Sequence, residues 1–333
     1  MNKIFFTILL LSVFMFGCER LIMPPDDHKD YLEQNIKDFE ETWNIINSVF
    51  PFFDFMALDW DSIYTRYHPL AEQAKGDDIY TVLMDLLSEL KDGHTLFYVE
   101  GGGVPMFPYM PPRMEKDVGT YSPYVVRNYF DKELKVCGAD KIEYEILNEN
   151  IGYVYLSNFE SDAIGDFDTV LEYFRDTKGL IIDVRRNSGG YCEQVYFVTS
   201  RFITSNLIVI WYDKDGDPTE QIIYPHGSIY QKPVVILING QSISGGEDFP
   251  ALMQPLPHVT LVGDTTAGMG GITKDFNLSS GKRMTTTCKF NIFNGNLVQW
   301  NGVPPDILVK QTKEDIANGR DKQLEFAINM LRD

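Results

Sequence analysis

The chain has 333 residues, 44% hydrophobic and 13% aromatic, enough apolar material for a sizeable core in one large domain or two small ones. Its formal charge of −19 argues against a non-specific nucleic-acid binder, which needs clustered lysine and arginine to neutralise phosphates. Beyond Cys18 the cysteines are Cys137, Cys192 and Cys288, whose spacing forms neither a zinc signature nor a disulfide framework. They read as core or half-buried thiols, with one bridged pair still open in an oxidising envelope.

The N-terminus, "MNKIFFTILLLSVFMFGC", places Lys3 before an apolar run of about a dozen residues, which is signal-peptide anatomy and short for a membrane span. "MFGC" resembles a bacterial lipobox in which Cys18 is the lipidated residue, although Phe16 stands where a small residue is usual. Residues 1–17 are therefore expected to be a lipoprotein signal peptide and the polar, proline-bearing stretch 18–30 a tether.

Residues 31–98 are expected to form a small N-terminal helical domain. Ile36, Phe39, Trp43 and Ile46 recur at helical spacing until Pro51, and a second helix is expected over 60–74. A third shows one apolar face, Ile79, Val82, Leu83, Leu86, Leu87 and Leu90, and stops at Asp92-Gly93 before the strand "HTLFYV". Residues 99–145 follow as a Pro/Gly-rich loop, read over 100–123 as a lid or binding element, and short strands including "KIEYEIL". From 146 to 333 lies a core with strands "IGYVYLSNF", "GLIIDV", 207–213, 220–224, "VVILI" and "VTLVG", and helices near 166–177, 192–204 and 248–254. The alternation predicts an α/β fold.

Three segments bear candidate chemistry. In "QSISGGEDFP" (241–250) an apolar strand runs through a Ser/Gly turn toward a helix, the setting of a nucleophile elbow, with Ser244 upstream of the helix start. Pro250 lacks an N–H and restricts that helix to begin near Glu247. Helix-start N–H groups favour an oxyanion, yet a plain capping turn has the same composition. His94, after the Asp-Gly turn, is the best-placed base of five histidines, with a structural histidine as the alternative. The glycines of "RRNSGG" (185–190) can converge their N–H groups into an anion nest or merely turn the chain into a helix.

Taken together, "LKDGHT" (90–95), "GLIIDVRRNSGG" (179–190), "SISGGEDFPALM" (242–253), "LVGDTTAGMGG" (261–271) and "NGVPPDI" (301–307) resemble, in order and spacing, the S41 peptidases, which include C-terminal processing proteases and tricorn core proteases. The resemblance covers about residues 31–310, and its His-containing, tricorn-like branch is the nearer one. It implies a crotonase/ClpP-like S41 protease core behind the helical domain. Ser244 takes the nucleophile's place, His94 the general base's, and Gly245 with Gly189 or Gly190 the oxyanion hole's. It implies peptide or protein substrates, no metal and no organic cofactor. About fifty residues between the His94 strand and the core are too few for a complete PDZ domain, which needs roughly 80 to 100.

Three positions depart from the family pattern. Met269 stands where the processing proteases have a lysine base, so a Ser/Lys mechanism is not expected. Gly93 replaces a serine before the histidine, and Gln299 replaces a glutamate before "GVPPD", which leaves the carboxylate that orients His94 unassigned, with Glu247 one possible substitute. The expectation is a lipid-anchored serine endopeptidase of the bacterial envelope. The alternatives are a catalytically weak or inactive relative that binds peptides or hydrophobic ligands in the same cleft, and an esterase. Oligomeric state is not legible in the sequence.

Overall fold

The structure, a computed structural model, describes residues 27–98, 105–139, 141–160 and 164–332. The expected signal peptide and Cys18 lie outside the described residues. The first helix, Asp27–Val49, begins inside the stretch expected to be tether, so residues 27–30 are helical instead. Helices Trp60–Gln73 and Asp78–Ser88 pack with it, burying Phe39, Ile46, Ile63, Leu83, Leu86 and Leu87. Asp59 caps Trp60–Gln73 by accepting the Ser62 N–H at 3.1 Å. The helix Asp78–Ser88 ends short of Asp92-Gly93, and the left-handed residue beyond it is Lys91, at φ 47°.

Fourteen strands among the described residues form two sheets. One contains β1 (Leu96–Tyr98), β2 (Pro105–Met106), β7 (Leu207–Tyr212), β8 (Pro218–Ile223), β11 (Ile272–Asn277), β12 (Arg283–Phe293) and β13 (Asn296–Leu297), in the order β2-β1-β12-β7-β8 with β11 and β13 also on β12. The other contains β3 (Lys135–Cys137), β4 (Ile142–Leu147), β5 (Ile151–Leu156), β6 (Leu180–Asp183), β9 (Val234–Ile238), β10 (Val259–Gly263) and β14 (Ile307–Leu308), in the order β14-β10-β9-β6-β5-β4-β3. Strands β5, β6, β9, β10 and β14 run parallel. Their central members, "LIID" and "VVILI", are apolar without alternation because both sheet faces are covered.

On one face lie the helices Phe167–Tyr173, Cys192–Thr199 and Gly245–Met253, with Phe159, Phe167, Phe202 and Phe249 in the core. On the other, Leu324, Ala327 and Ile328 of the C-terminal helix Lys322–Arg332 pack on Ile181, Val235 and Val262. The buried Arg185 guanidinium secures that helix's start, donating to Asp183, to Asp321 Oδ1 at 2.8 Å and to Gln323 Oε1 at 3.0 Å. Thr285 of β12 pairs with Leu96 of β1, which sets a long hairpin beside His94.

Three expectations change. The stretch read as one loop over 100–123 contains, in its described part, β2 and helix Pro112–Lys116, and helix Pro123–Arg127 begins at its end; each helix starts with the proline whose missing N–H costs nothing there. The helix after the Ser/Gly turn starts at Gly245, so Pro250 sits inside it; the carbonyl it would crowd, that of Gly246, belongs to a residue without a Cβ. Strands β11 and β12 were not anticipated, although "MTTTCKFNIF" is rich in β-branched and aromatic residues. None of Cys137, Cys192 and Cys288 is paired, and each is half-buried.

Candidate active site

The parallel strands β6 and β9 end side by side, and the two turns that leave them build the site. After β6 the chain bends through Asn187, whose side chain donates to Leu156 O at 2.8 Å and accepts the Gly189 N–H at 2.8 Å. The same residue's carbonyl accepts the Ile243 N–H at 3.0 Å, so one asparagine ties the glycine turn to the serine turn. Gly189 has φ +81°, and a Cβ there would lie 2.6 Å from Ser244 Cβ, which shows how closely the turns meet.

Ser244 is half-buried at the start of the helix, with φ 54° and ψ −124°. A non-glycine residue at positive φ is uncommon and is held only when its surroundings over-determine it. Here they do. The Ser244 N–H donates to Glu247 Oε2 at 3.2 Å, and the Ser244 carbonyl accepts the N–H groups of Glu247 and Asp248 at 2.7 and 3.0 Å. Ser242 is placed differently: its buried hydroxyl donates to Val184 O at 2.8 Å and accepts the Asn239 N–H at 3.2 Å.

The glycine N–H groups also separate. That of Gly189 is committed to Asn187, whereas those of Gly190 and Gly245 donate to no protein acceptor among the described residues. A Cβ at Gly245 would stand 3.4 Å from the Gly190 nitrogen, so the two unengaged N–H groups are neighbours. Of the three glycines named from sequence, Gly189 is thus occupied.

Glu247 is not a spare carboxylate. It is fully buried, and both oxygens are saturated: Oε1 accepts Thr266 Oγ1 at 2.5 Å and the Gly268 N–H at 2.7 Å, while Oε2 accepts the Met269 and Ser244 N–H groups at 2.8 and 3.2 Å. Burial pushes its carboxyl up to about 7 against those four donors. Asp248, also buried, is raised to about 7 by burial, opposed by the Asn291 amide and reinforced by the Glu247 charge.

Through Glu247 the serine turn holds Met269, and Met269 covers the Cα of Gly93: a Cβ there would be 2.9 Å from Met269 Cγ and Sδ. A serine at 93 would require the Met269 side chain to move aside. His94 follows, half-buried, with Nδ1 buried and unpartnered. Burial lowers its pKa, and the Asp92 charge opposes the shift. No hydrogen bond joins His94 to Ser244; Glu247 ties the serine turn to Met269, which packs on Gly93, the residue before the histidine.

Behind the histidine lies a residue the sequence reading treated only as a helix stop. Asp92 is fully buried, and Gln299 Nε2 donates to its Oδ1 at 3.1 Å. Gln299 is placed by Trp300, which has φ 62°, donates Nε1 to Lys91 O at 2.7 Å and its backbone N–H to Gly268 O at 2.9 Å, and accepts from Arg113 at 2.7 Å. An acid two residues before a candidate base, in "DGH", was the available signal.

Comparison with known proteins agrees with this architecture. The profile of peptidase family S41 matches residues 150–309, and that of the tricorn protease C1 domain matches residues 33–88. The carboxy-terminal processing protease CtpB of Bacillus subtilis is 28% identical over 174 residues, covering 51% of this chain and 36% of that protein. A carboxy-terminal-processing protease of Bartonella bacilliformis is 26% identical over 191 residues, 55% of this chain and 44% of that one, so the chain spans less than half the length of these curated relatives. Among solved structures, a putative peptidase from Parabacteroides merdae superposes with a TM-score of 0.77 at 28% identity, covering 89% of this chain and 96% of that one. Mature CPAF complexed with lactacystin superposes at 0.66 with 13% identity, covering 91% and 98%, and shares the fold. With both profiles in chain order and the S41 motifs converging at the ends of two parallel strands, residues 150–309 carry the domain of peptidase family S41, preceded by a segment similar to the tricorn C1 domain.

Proposed function

We propose that this chain is a serine endopeptidase. Ser244 Oγ attacks the scissile carbonyl and passes its proton to His94, whose imidazolium then protonates the leaving amine. Water, deprotonated by the same histidine, releases the acyl group. The Gly190 and Gly245 N–H groups receive the oxyanion, helped by the positive end of the helix. The observation that supports this best is Ser244 at positive φ beside two neighbouring, unengaged glycine N–H groups. The Ser/His contact forms when substrate is bound, since catalytic hydrogen bonds often tighten only in the complex.

The test is labelling with a serine-reactive fluorophosphonate, comparing wild type with Ser244→Ala and His94→Ala. Wild type is expected to label at Ser244 and both variants to lose at least about a hundredfold in rate. Wild type labelling no faster than either variant overturns the hydrolase reading and favours a ligand-binding cleft. Esterase and peptide panels separate the two acyl-transfer readings.

We place the protein in the bacterial envelope, held by lipid on Cys18, with peptide or protein substrates. Incorporation of a palmitate analogue that Cys18→Ala abolishes supports this, and its absence in wild type refutes it.

A further inference from the structure

Asp92 gathers four donors. Its Oδ1 accepts the His94 backbone N–H at 3.1 Å and Gln299 Nε2 at 3.1 Å, and its Oδ2 accepts the hydroxyls of Thr95 at 2.7 Å and Thr287 at 2.8 Å. With the Thr95 proton committed to Asp92, the Thr286 hydroxyl donates to Thr95 at 2.8 Å. Every polar group around this carboxylate is then accounted for except two buried atoms, Gln299 Oε1 and His94 Nδ1. They are complementary, because an amide oxygen accepts and a neutral imidazole nitrogen can hold a proton. Both belong to residues bonded to the same Asp92 oxygen.

A carboxylate accepts and does not donate, so Asp92 compels Gln299 to turn its NH₂ inward and leaves Oε1 as its free end. We infer that Asp92 is the positioning residue for His94: it fixes the Gln299 amide with Oε1 as the acceptor for the Nδ1 proton, a bond the structure leaves unmade, and that bond would hold the imidazole with Nε2 unprotonated toward Ser244. When Nε2 takes the serine proton, Nδ1–H stays on Gln299 and the new positive charge is opposed by Asp92. This rests on the Ser/His reading proposed above. It also explains why glutamine occupies 299: a glutamate would set a second carboxylate against Asp92 Oδ1, and like charges at that range do not both ionise freely. The negative charge that the family pattern places at 299 resides at 92 instead.

The test uses full-length protein with ¹⁵N-labelled histidine, His94 being assigned by its loss in His94→Asn. Long-range ¹H–¹⁵N spectra are expected to show the Nδ1–H tautomer, with His94 titrating at lower pH in Asp92→Asn and higher pH in Gln299→Glu. The fluorophosphonate labelling rate is expected to fall about a hundredfold in Asp92→Asn, its acidic limb moving to lower pH. The exchange Asp92→Asn/Gln299→Glu reverses donor and acceptor between the positions and keeps an acceptor for Nδ1–H, so it should recover at least about tenfold over either single variant. An Nε2–H tautomer in wild type, a His94 titration that neither variant moves, or an exchange no better than its singles overturns the inference. Should Asp92→Asn fail a thermal-melt check of folding, Gln299→Glu and Gln299→Met decide through the same spectra. Labelling failure in wild type with the expected spectra sinks the hydrolase reading alone; labelling with unmoved spectra sinks the positioning role alone.

Discussion

Glu247 Oε2 accepts the backbone N–H of Ser244 at 3.2 Å, three residues upstream on the same turn. Because the same carboxylate also binds Thr266, Gly268 and Met269, it holds the serine turn against the neighbouring 266–269 turn. Glu247→Gln replaces one acceptor oxygen with a donor and leaves two of these groups opposed to an NH₂. We expect a loss of about 2–3 kcal/mol in denaturant unfolding and at least tenfold slower labelling of Ser244. Unchanged stability would remove the clamp from the account.

The two serines of the turn should separate cleanly. Ser242→Ala strands the Asn239 N–H in the core and leaves Val184 O with the Asn187 N–H alone, costing about 1–3 kcal/mol, yet labelling stays within about threefold of wild type. Ser244→Ala has the opposite profile, with labelling lost and folding kept. A Ser242→Ala protein that is stable but unlabelled would reverse the assignment.

Gly190 cannot be enlarged. At φ +137° a Cβ would lie 2.4 Å from the Phe159 carbonyl carbon and oxygen, neither able to move independently of the backbone. Gly190→Ala should lower stability by about 2–4 kcal/mol and abolish labelling through displacement of the candidate oxyanion N–H. Thermal melts and labelling together check this, and wild-type labelling in the variant would exclude Gly190 from the site.

Asp248 supplies a pH dependence whose sign is set by burial. Its pKa rises from 3.8 to about 7 in the folded state, so its contribution to stability is fully present below about pH 4 and is lost as pH climbs through 7. Asp248→Asn, neutral at every pH, should match wild type near pH 3.5 and exceed it at pH 8 by up to about 4 kcal/mol. Denaturant titrations at the two pH values decide it; equal gaps at both would show that Asp248 does not titrate in this range.

A similar sign argument applies to His94. Burial lowers its pKa below the ordinary 6.5, so a base that must be neutral remains available below that pH. The acidic limb of the labelling rate is therefore expected below pH 6.5. A limb above it would mean that a positive shift dominates.

Much of the scaffold is legible in short windows of the chain. "VVILI" and "LIID" announce buried strands, Ile79 to Leu87 one helical face, and the Ser-Gly-Gly turn a helix start, because periodicity and turn chemistry act between residues a few positions apart. The ordered motifs likewise single out Ser244, His94 and the glycine turns. What no local window contains is the set of hydrogen-bond partners. Asp92 meets Thr287 across 195 residues and Gln299 across 207, and only the pairing of β1 with β12 and the turn at Trp300 bring them together. Gly189 and Gly190 are adjacent and identical in kind, yet Asn187 occupies the first N–H and not the second. Glu247, a plausible substitute carboxylate in the linear chain, is consumed by four donors once the 266–269 turn folds over it. Residue type states what a group can donate or accept; burial and register decide which partner remains for it.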